Sequence, residues 1–150
     1  MNFFSTKTME LGSAAFRQWR SSHSHCQYIH GYRLTAKFIF GAHDLDAKNW
    51  VVDFGGLKEM KAKLQNFFDH KLVIAADDPK KDVLLNLEKE GVAQVIVLEG
   101  GVGVERFAEL CSNIATEFIA NNSTYANRCW VESVEVFEHA DNSAIYLSAN

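Results

Sequence analysis

Alternating apolar and polar side chains predict a β-strand over residues 33–40. A repeat of two places apolar side chains on one face and polar side chains on the other, as in a sheet with one buried face. A second strand is expected at residues 50–54, and the polar stretch between the two predicts a hairpin with a long loop. The apolar face of the first strand carries Leu34, Ala36, Phe38 and Phe40.

Two longer segments repeat their apolar residues with the period of an amphipathic helix. The first runs from about residue 56 to residue 68, directly before Asp69 and His70, and the second runs from residue 104 to about residue 120. This spacing predicts two long helices that each bury one face. The apolar stripes are Leu57, Met60, Leu64, Phe67 and Phe68 in the first helix, and Val104, Phe107, Ala108, Cys111, Ile114, Ala115 and Phe118 in the second.

The rest of the chain predicts shorter elements. Residues 77–91 are polar with one or two helical turns, and residues 93–101 predict a short buried strand closed by glycines. Two further strands are expected at residues 128–139 and 144–149, on either side of a polar turn. Strand pairs near both ends and two long helices predict one α+β domain over all 150 residues, with an antiparallel sheet and the helices on one face.

Composition and charge narrow the class of function. The formal net charge is −4, and the chain lacks the basic patch that nucleic-acid-binding proteins place on phosphates, so nucleic acid is not an expected partner. No apolar stretch has the length of a membrane span and the N-terminus lacks the layout of a signal peptide, so we expect a cytoplasmic protein without a membrane partner. An open sheet under two long helices has exposed edges, which self-association into a homo-oligomer commonly covers.

The cysteines point to one unusual loop. Three cysteines at irregular spacing fit no zinc ribbon, and Cys111 and Cys129 lie in apolar patterns where they are expected to be buried. Cys26 instead lies in residues 22–32, SHSHCQYIHGY, together with three histidines. The loop is compatible with a metal site, with a reactive cysteine paired to His30, and with a solvated polar turn.

Two other segments place polar groups beside apolar patterns. Asp69 and His70 follow the first helix, where they are either a helix cap or an oriented, chargeable imidazole. Alternation puts Glu138 on the same face as Val134 and Val136, so it is either at an exposed strand end or a buried acceptor that needs a partner.

These segments, taken in order, resemble the 6-pyruvoyl-tetrahydropterin synthase and 6-carboxytetrahydropterin synthase family. The family's cysteine followed four residues later by His-Gly-His is similar to CQYIHGY, with Cys26 and His30. Its Asp-Phe and Leu-Lys before the first helix are similar to DFGGLK at residues 53–58, and its Asp-His pair to DHK at residues 69–71. Its strand ending in a glutamate is similar to VEVFE at residues 134–138, followed closely by AIY.

The resemblance implies a tunnelling fold that oligomerises into a barrel, as a homo-hexamer built from two trimers with active sites between subunits. It implies a pterin substrate, 7,8-dihydroneopterin triphosphate or a relative, and a zinc ion bound by histidines. Carried over by position, Cys26 is the general acid and base, Asp69 and His70 are its partners, and Glu138 anchors the pterin. Glu105, in VGVE at residues 102–105, occupies the position of a glutamate that opens the family's second helix.

The sequence departs from the family at two of three zinc-ligand positions, which hold Arg20 and Tyr32, while His30 is retained. In one hypothesis His23 and His25, spaced to face the same way on an extended chain, join His30 on a relocated zinc. In the other the metal is lost, and Arg20 supplies a permanent charge in a divergent pterin enzyme or a non-catalytic pterin binder. A third hypothesis is an unrelated α+β enzyme with a Cys-His nucleophile at Cys26 and His30.

Overall fold

A six-stranded mixed sheet organises the chain, of which the structure, a computed structural model, describes residues 1–148. Three helices accompany the sheet, and two short 3-10 helices lie at His25–Gln27 and Phe54–Leu57. The strands are β1 (Phe3–Phe16), β2 (His30–Ala42), β3 (Lys71–Ala75), β4 (Gln94–Leu98), β5 (Cys129–His139) and β6 (Asn142–Leu147). The helices are α1 (Lys58–Phe68), α2 (Lys81–Lys89) and α3 (Val104–Asn121).

The strand order across the sheet is β4-β3-β1-β2-β5-β6. The pairs β1–β2, β2–β5 and β5–β6 are antiparallel, so the predicted antiparallel arrangement holds for four strands. The pairs β1–β3 and β3–β4 are parallel, and α2 forms the crossover between β3 and β4. The sheet is therefore an antiparallel four-stranded part extended at one edge by a parallel unit.

The main core lies between one face of this sheet and the helices α1 and α3, as the sequence predicted. Leu34, Ala36, Phe38 and Phe40 of β2 are fully buried, and the apolar side chains of α1 and α3 pack against them. Cys111 and Cys129 are also buried and unpaired with another cysteine. Burial raises the pKa of both thiols, which keeps them protonated.

The short helix α2 packs on the opposite face of the sheet. Leu72 and Ile74 on β3 form a separate small cluster with Leu84 of α2, whereas the alternate residues Val73 and Ala75 belong to the main core. Alternate side chains of a strand point to opposite faces. The parallel unit β3-α2-β4 is thus buried on both sides, while the antiparallel part carries its long helices on one side. Within residues 1–148 no helix is long and apolar enough to cross a membrane.

The predicted strand at residues 50–54, and with it the hairpin to residues 33–40, is wrong. This segment has no strand partner and leads into a 3-10 helix, although its valines are buried. Its carbonyl groups are used by side chains: Arg128 donates to the carbonyls of Trp50 and Val51 at 3.2 and 2.8 Å, and the Cys129 thiol donates to Val51 at 3.0 Å. The true neighbours of β2 are β1 and β5.

Strands β1 and β3 were not among the strands predicted from periodicity. On β1 the buried positions are Met9 and Leu11 and then Ala14 and Phe16, because a bulge between Glu10 and Gly12 shifts the alternation by one residue. The helices predicted at residues 56–68 and 104–120 are confirmed, as are β4, β5 and β6. The end of the predicted last strand, at Ala149, lies outside the described residues.

The bulge in β1 requires a glycine for two reasons. Gly12 has a φ of 102°, and a Cβ atom at this position would lie 2.3 Å from the Asp69 Oδ1 atom. The close approach lets the Ser13 amide, one residue further, donate to the Asp69 carboxylate at 3.1 Å. The end of α1 is thereby fixed against the last third of β1.

A buried ion pair joins the end of β1 to the turn after β3. The Arg17 Nε and Nη2 atoms donate to the two carboxylate oxygens of Asp78 at 2.7 and 2.8 Å, and the Asp78 side chain is only 1% exposed. These hydrogen bonds hold the pKa of Asp78 below its ordinary range, against the opposing effect of burial. The pair links two segments that are 61 residues apart.

We predict that Gly12→Ala destabilises the protein more than Gly91→Ala does. Gly91 also has a positive φ, of 75°, but a Cβ there would meet nothing within 4 Å. The control should cost about 1 kcal/mol for backbone conformation alone, and Gly12→Ala about 2 kcal/mol more because Asp69 must move. Denaturant unfolding of the two variants measures the difference, and equal losses would contradict the close approach.

We also predict that Asp78→Asn lowers the free energy of unfolding by about 3 kcal/mol at neutral pH, because it leaves the Arg17 charge without its partner. A carboxyl group whose pKa is lowered on folding stabilises the protein above its unfolded pKa, about 3.9, and this contribution is lost as the pH falls through the lower folded pKa. The difference between wild type and variant should therefore shrink below about pH 4. Urea unfolding at a series of pH values tests this, and a constant difference would exclude the ion pair as its cause.

Candidate functional site

Cys26 lies in the loop of residues 17–29 that connects β1 to β2, called here the Cys26 loop. The loop contains a single 3-10 turn, in which the Ser24 hydroxyl accepts from the Cys26 amide at 3.0 Å. The Gln18 amide donates to the Cys26 carbonyl at 2.7 Å and closes the loop across its base. Cys26 is the one exposed cysteine within residues 1–148. Its thiol is thus accessible on a backbone that is held at a defined position.

An aromatic cluster lies at the adjoining end of the sheet. The ring of Tyr32 is 5.4 Å from that of His30, 6.0 Å from that of Phe16 and 6.3 Å from that of His139, measured between centroids. The His30 Nδ1 atom is 2.7 Å from the Tyr28 carbonyl oxygen. Because a carbonyl only accepts, Nδ1 carries the proton and Nε2 is the nitrogen left for other partners.

The pKa of Tyr32 is raised, first by burial and then by electrostatic repulsion from Glu138 and Cys26. Tyr32 is therefore protonated at neutral pH and has an O–H group that can donate a hydrogen bond. Glu138 is half-buried on β5, on the face that also carries Val134 and Val136. It is thus neither at a fully exposed strand end nor fully buried. The structure brings Cys26, His30, Tyr32 and Glu138 to one end of the sheet.

Asp69 and His70 form a second group that is attached to β1 at Ser13, three residues before the strand ends. Asp69 ends α1, and its Oδ1 atom accepts from the Ser13 amide and lies 3.0 Å from the His70 Nδ1 atom. The Ser13 hydrogen bond and then the contact with His70 lower the pKa of Asp69. His70 has a φ of 61° and a side chain that is 83% exposed. The pair is therefore both a helix end and an oriented imidazole with a free Nε2 atom.

The two groups are separated along β1. Asp69 is bound to Ser13, whereas His30 pairs with Phe16 and the Cys26 loop starts after Phe16. Three residues of strand separate the two attachment points, or roughly 10 Å. Within residues 1–148 no hydrogen bond or ion pair joins Asp69 or His70 to Cys26. One chain thus assembles the predicted site residues into two groups.

Glu105 lies near the first of these groups, in the exposed first turn of α3. The start of α3 packs against the end of β1, where the ring of Phe107 is 5.1 Å from that of Phe16. The Gln18 side chain also donates to the Val102 carbonyl at 3.0 Å. Glu105 is therefore carried on an element that contacts both the Cys26 loop and the aromatic cluster.

Arg20 is held away from Cys26 by its own partners. Its guanidinium donates to the Asp77 carboxylate at 3.0 Å and lies 4.0 Å from the ring centroid of Trp19. The Trp19 indole also donates to Asp77, at 3.3 Å. The Arg20 charge is thus shared with a carboxylate at the end of β3 rather than left free for the Cys26 loop.

The arrangement of His23, His25 and His30 does not fit a zinc site formed by these three residues. Within residues 1–148, no three His, Cys, Asp or Glu side chains form a group that could hold a metal ion. His30 also uses its Nδ1 atom on the Tyr28 carbonyl, and the His25 ring lies beside the Tyr28 ring at 6.4 Å. Zinc binding at these histidines stays a prediction.

Three contributors to the site were not identified from the sequence: Ser13, His139 and the buried pair of Arg17 and Asp78. Ser13 acts through its backbone amide, which no side-chain pattern reveals. Tyr32 was noted only as a departure from the family pattern, although its aromatic neighbours give it a defined environment.

Comparison with known proteins places this geometry in a family. A family model described as 6-pyruvoyl tetrahydropterin synthase matches residues 7–149. The chain is 31% identical over 84 residues to the 6-carboxy-5,6,7,8-tetrahydropterin synthase of Rickettsia bellii, covering 55% of this chain and 59% of that protein. It is 35% identical over 54 residues to the enzyme of the same name from Rickettsia conorii, covering 35% of this chain and 39% of that protein. These matches thus span less than two thirds of the length of either relative.

Solved structures share the fold over nearly the whole chain. An uncharacterised protein from Wolinella succinogenes has a TM-score of 0.84 at 17% identity, with 99% of both chains covered. The 6-pyruvoyl tetrahydropterin synthase of Plasmodium falciparum has a TM-score of 0.65 at 17% identity, with 95% of this chain and 96% of that chain covered. The family match takes in the Cys26 loop, Asp69, His70 and Glu138, and the chain belongs to the 6-pyruvoyl tetrahydropterin synthase family.

Proposed function

We propose that the protein is a pterin-processing lyase that acts on 7,8-dihydroneopterin triphosphate or a closely related pterin. Membership of the family supports the class of substrate. The observation that carries the proposal is the proximity of Tyr32, Glu138 and the Cys26 loop at one end of the sheet, where β2 pairs with β5 and the ring of Tyr32 packs beside that of His30. This end of the sheet therefore holds the Glu138 carboxylate, which can accept hydrogen bonds from a pterin ring, together with the Cys26 thiol and the Tyr32 phenol, which is a neutral donor.

Glu138 is the proposed anchor of the pterin ring. The ring presents an N–H group and an amino group side by side, and a carboxylate accepts two such parallel hydrogen bonds. Glu138 is half-buried, so these bonds form in surroundings of lower polarity than water, where they are stronger. Glu105 is proposed to contact the substrate from the start of α3.

Cys26 is the proposed general acid and base, because a thiol within reach of the substrate side chain can take and return a proton. The thiolate takes a proton from a side-chain carbon of the pterin, and the triphosphate leaves with the electron pair of its carbon–oxygen bond. The Tyr32 phenol, which stays protonated, is proposed to donate a hydrogen bond to a side-chain oxygen of the pterin.

Asp69 and His70 are proposed to complete the site from a neighbouring copy of the chain, where the imidazole exchanges protons with the side-chain hydroxyls. The separation of roughly 10 Å between the two attachment points on β1 supports this division. The sheet ends in two edge strands, β4 and β6, which leave backbone groups open to pairing with other copies. We expect a homo-hexamer built from two trimers, in the cytoplasm.

A second candidate is a pterin-binding protein without catalytic activity. It is favoured by the residues at the zinc-ligand positions, where Tyr32 packs among aromatic rings and Arg20 is paired with Asp77. Such a protein keeps Glu138 and binds the ring but does not release the triphosphate.

We predict that the wild type releases triphosphate from 7,8-dihydroneopterin triphosphate and forms a new reduced pterin. Cys26→Ala should lower turnover by about 100-fold or more, because general acid–base catalysis typically contributes that much, and should leave pterin binding unchanged. Absence of turnover in a wild type that binds the pterin would favour the second candidate.

Glu138→Gln should weaken pterin binding by about 10-fold or more, since a charge-assisted hydrogen bond is replaced by a neutral one. The matched control is Glu135→Gln, on the same strand, where the carboxylate accepts from Ser143. Fluorescence titration with the pterin measures both variants. Equal affinity of Glu138→Gln and wild type would exclude Glu138 as the anchor.

We further predict that pterin binding is unchanged after dialysis against a metal chelator, because the described histidines do not form a three-ligand site. Metal analysis of freshly purified protein is the companion measurement. About one zinc per chain, removed by His30→Ala and by His25→Ala, would instead establish the relocated zinc site.

A further inference from the structure

The parallel unit β3-α2-β4 contacts the Cys26 loop through hydrogen bonds to residues 17–20. The carboxyl ends of parallel strands meet at one edge of a sheet, and here the turns after β3 and β4 lie beside the end of β1. Both segments form hydrogen bonds with side chains from the first residues of the Cys26 loop. The turn after β3 binds Arg17 and Arg20, and the segment after β4 binds Gln18.

Arg17 makes the contact that reaches the neighbourhood of Cys26. Its Nε and Nη2 atoms bind Asp78, and its third nitrogen, Nη1, donates to the Gln27 carbonyl at 3.2 Å. Gln27 is the residue directly after Cys26. A single planar guanidinium thus connects a buried carboxylate on the parallel unit to the backbone beside the candidate catalytic thiol.

Asp78 is itself firmly held. Its Oδ1 atom accepts from the Lys80 amide at 2.8 Å, and its backbone amide and carbonyl bind Ala75 and Lys81 at 3.1 and 3.0 Å. The residue is 4% exposed. Because a bidentate pair fixes the plane of the guanidinium, the direction of Nη1 toward Gln27 follows from the position of Asp78.

We propose that Asp78, acting through Arg17, is a positioning residue for Cys26. The guanidinium holds the Gln27 carbonyl, and the Gln18 amide holds the Cys26 carbonyl, so the peptide groups on both sides of residue 27 have fixed partners. The structural part of this proposal stands on these contacts alone. Its consequence for turnover rests on the proposed function of Cys26.

Arg17→Lys separates positioning from the stability of the fold. Lysine keeps a charge opposite Asp78, but its single ammonium group cannot bind both carboxylate oxygens and the Gln27 carbonyl in the geometry of a guanidinium. The matched control is Glu10→Gln, which breaks an exposed bidentate pair with Arg33 on β1 and β2, away from the Cys26 loop.

Amide hydrogen exchange is the primary measurement. In Arg17→Lys and Asp78→Asn the amides of Gln18 and Tyr28, which donate within the loop, should exchange about 10-fold faster or more, as expected when a charged hydrogen bond that orders a loop is lost. In Arg17→Lys the amides of α3 should keep wild-type rates, which excludes general destabilisation. Wild-type rates at Gln18 and Tyr28, or an equal increase in Glu10→Gln, would overturn the proposal.

Turnover supplies the second readout. Arg17→Lys should lower kcat by about 10-fold with little change in KM, because Cys26 is displaced while Glu138 still holds the ring. A rise in KM with unchanged kcat would contradict a positioning role. If the wild type has no activity on the pterin, the proposed function fails, and the exchange rates of the loop still decide whether Arg17 and Asp78 hold it.

Discussion

The long antiparallel pairing of β1 with β2 is the constraint on which the rest of the structure depends. It runs from Phe3 opposite Ala42 to Phe16 opposite His30, and α1 and α3 pack on its buried face. Every group of the candidate site is attached to it. The Cys26 loop connects its two strands, His30 and Tyr32 lie at its end, Glu138 belongs to the strand beside β2, and Asp69 binds the Ser13 amide. A change of register in this one pair would separate all of them.

Periodicity was a good guide where an element buries one regular face. It located β2, both long helices and the last two strands, because each keeps a regular repeat over most of its length, although β5 has a bulge opposite Ile39 and Phe40. It failed for β1, because the bulge at Gly12 shifts the buried side chains from odd-numbered to even-numbered residues. It also misassigned residues 50–54, whose valines are buried as in a strand but whose carbonyls bind Arg128 and Cys129. The apolar pattern of a segment indicates that its side chains are buried. It does not indicate which groups form hydrogen bonds with the backbone N–H and C=O groups of that segment.

The residues of the candidate site also differ in how well the sequence predicted them. Motifs identified Cys26, Asp69, His70 and Glu138, because each lies in a short segment that can be compared with a family pattern. Their distribution over two groups follows from strand register, which is a long-range property and has no local signature. The pair of Arg17 and Asp78 joins residues 61 positions apart, and from the sequence both belonged to unremarkable polar stretches. Side chains proposed to act on the substrate were thus easier to identify from the sequence than the residues that hold the Cys26 loop.

The attachment of the Cys26 loop to Asp78 has a consequence for the order of folding. The strands β1 and β2 are neighbours in sequence, joined by the loop of residues 17–29, so their pairing has a lower entropic cost than contacts between more distant segments. Asp78 arrives only when α1 has formed and β3 has added to β1 across more than fifty residues, a contact of the kind that forms late. The hairpin can therefore exist before its connecting loop is ordered. Until the parallel unit docks, the Cys26 loop has only its internal hydrogen bonds, so during synthesis and refolding its exposed thiol is held less firmly than in the folded chain.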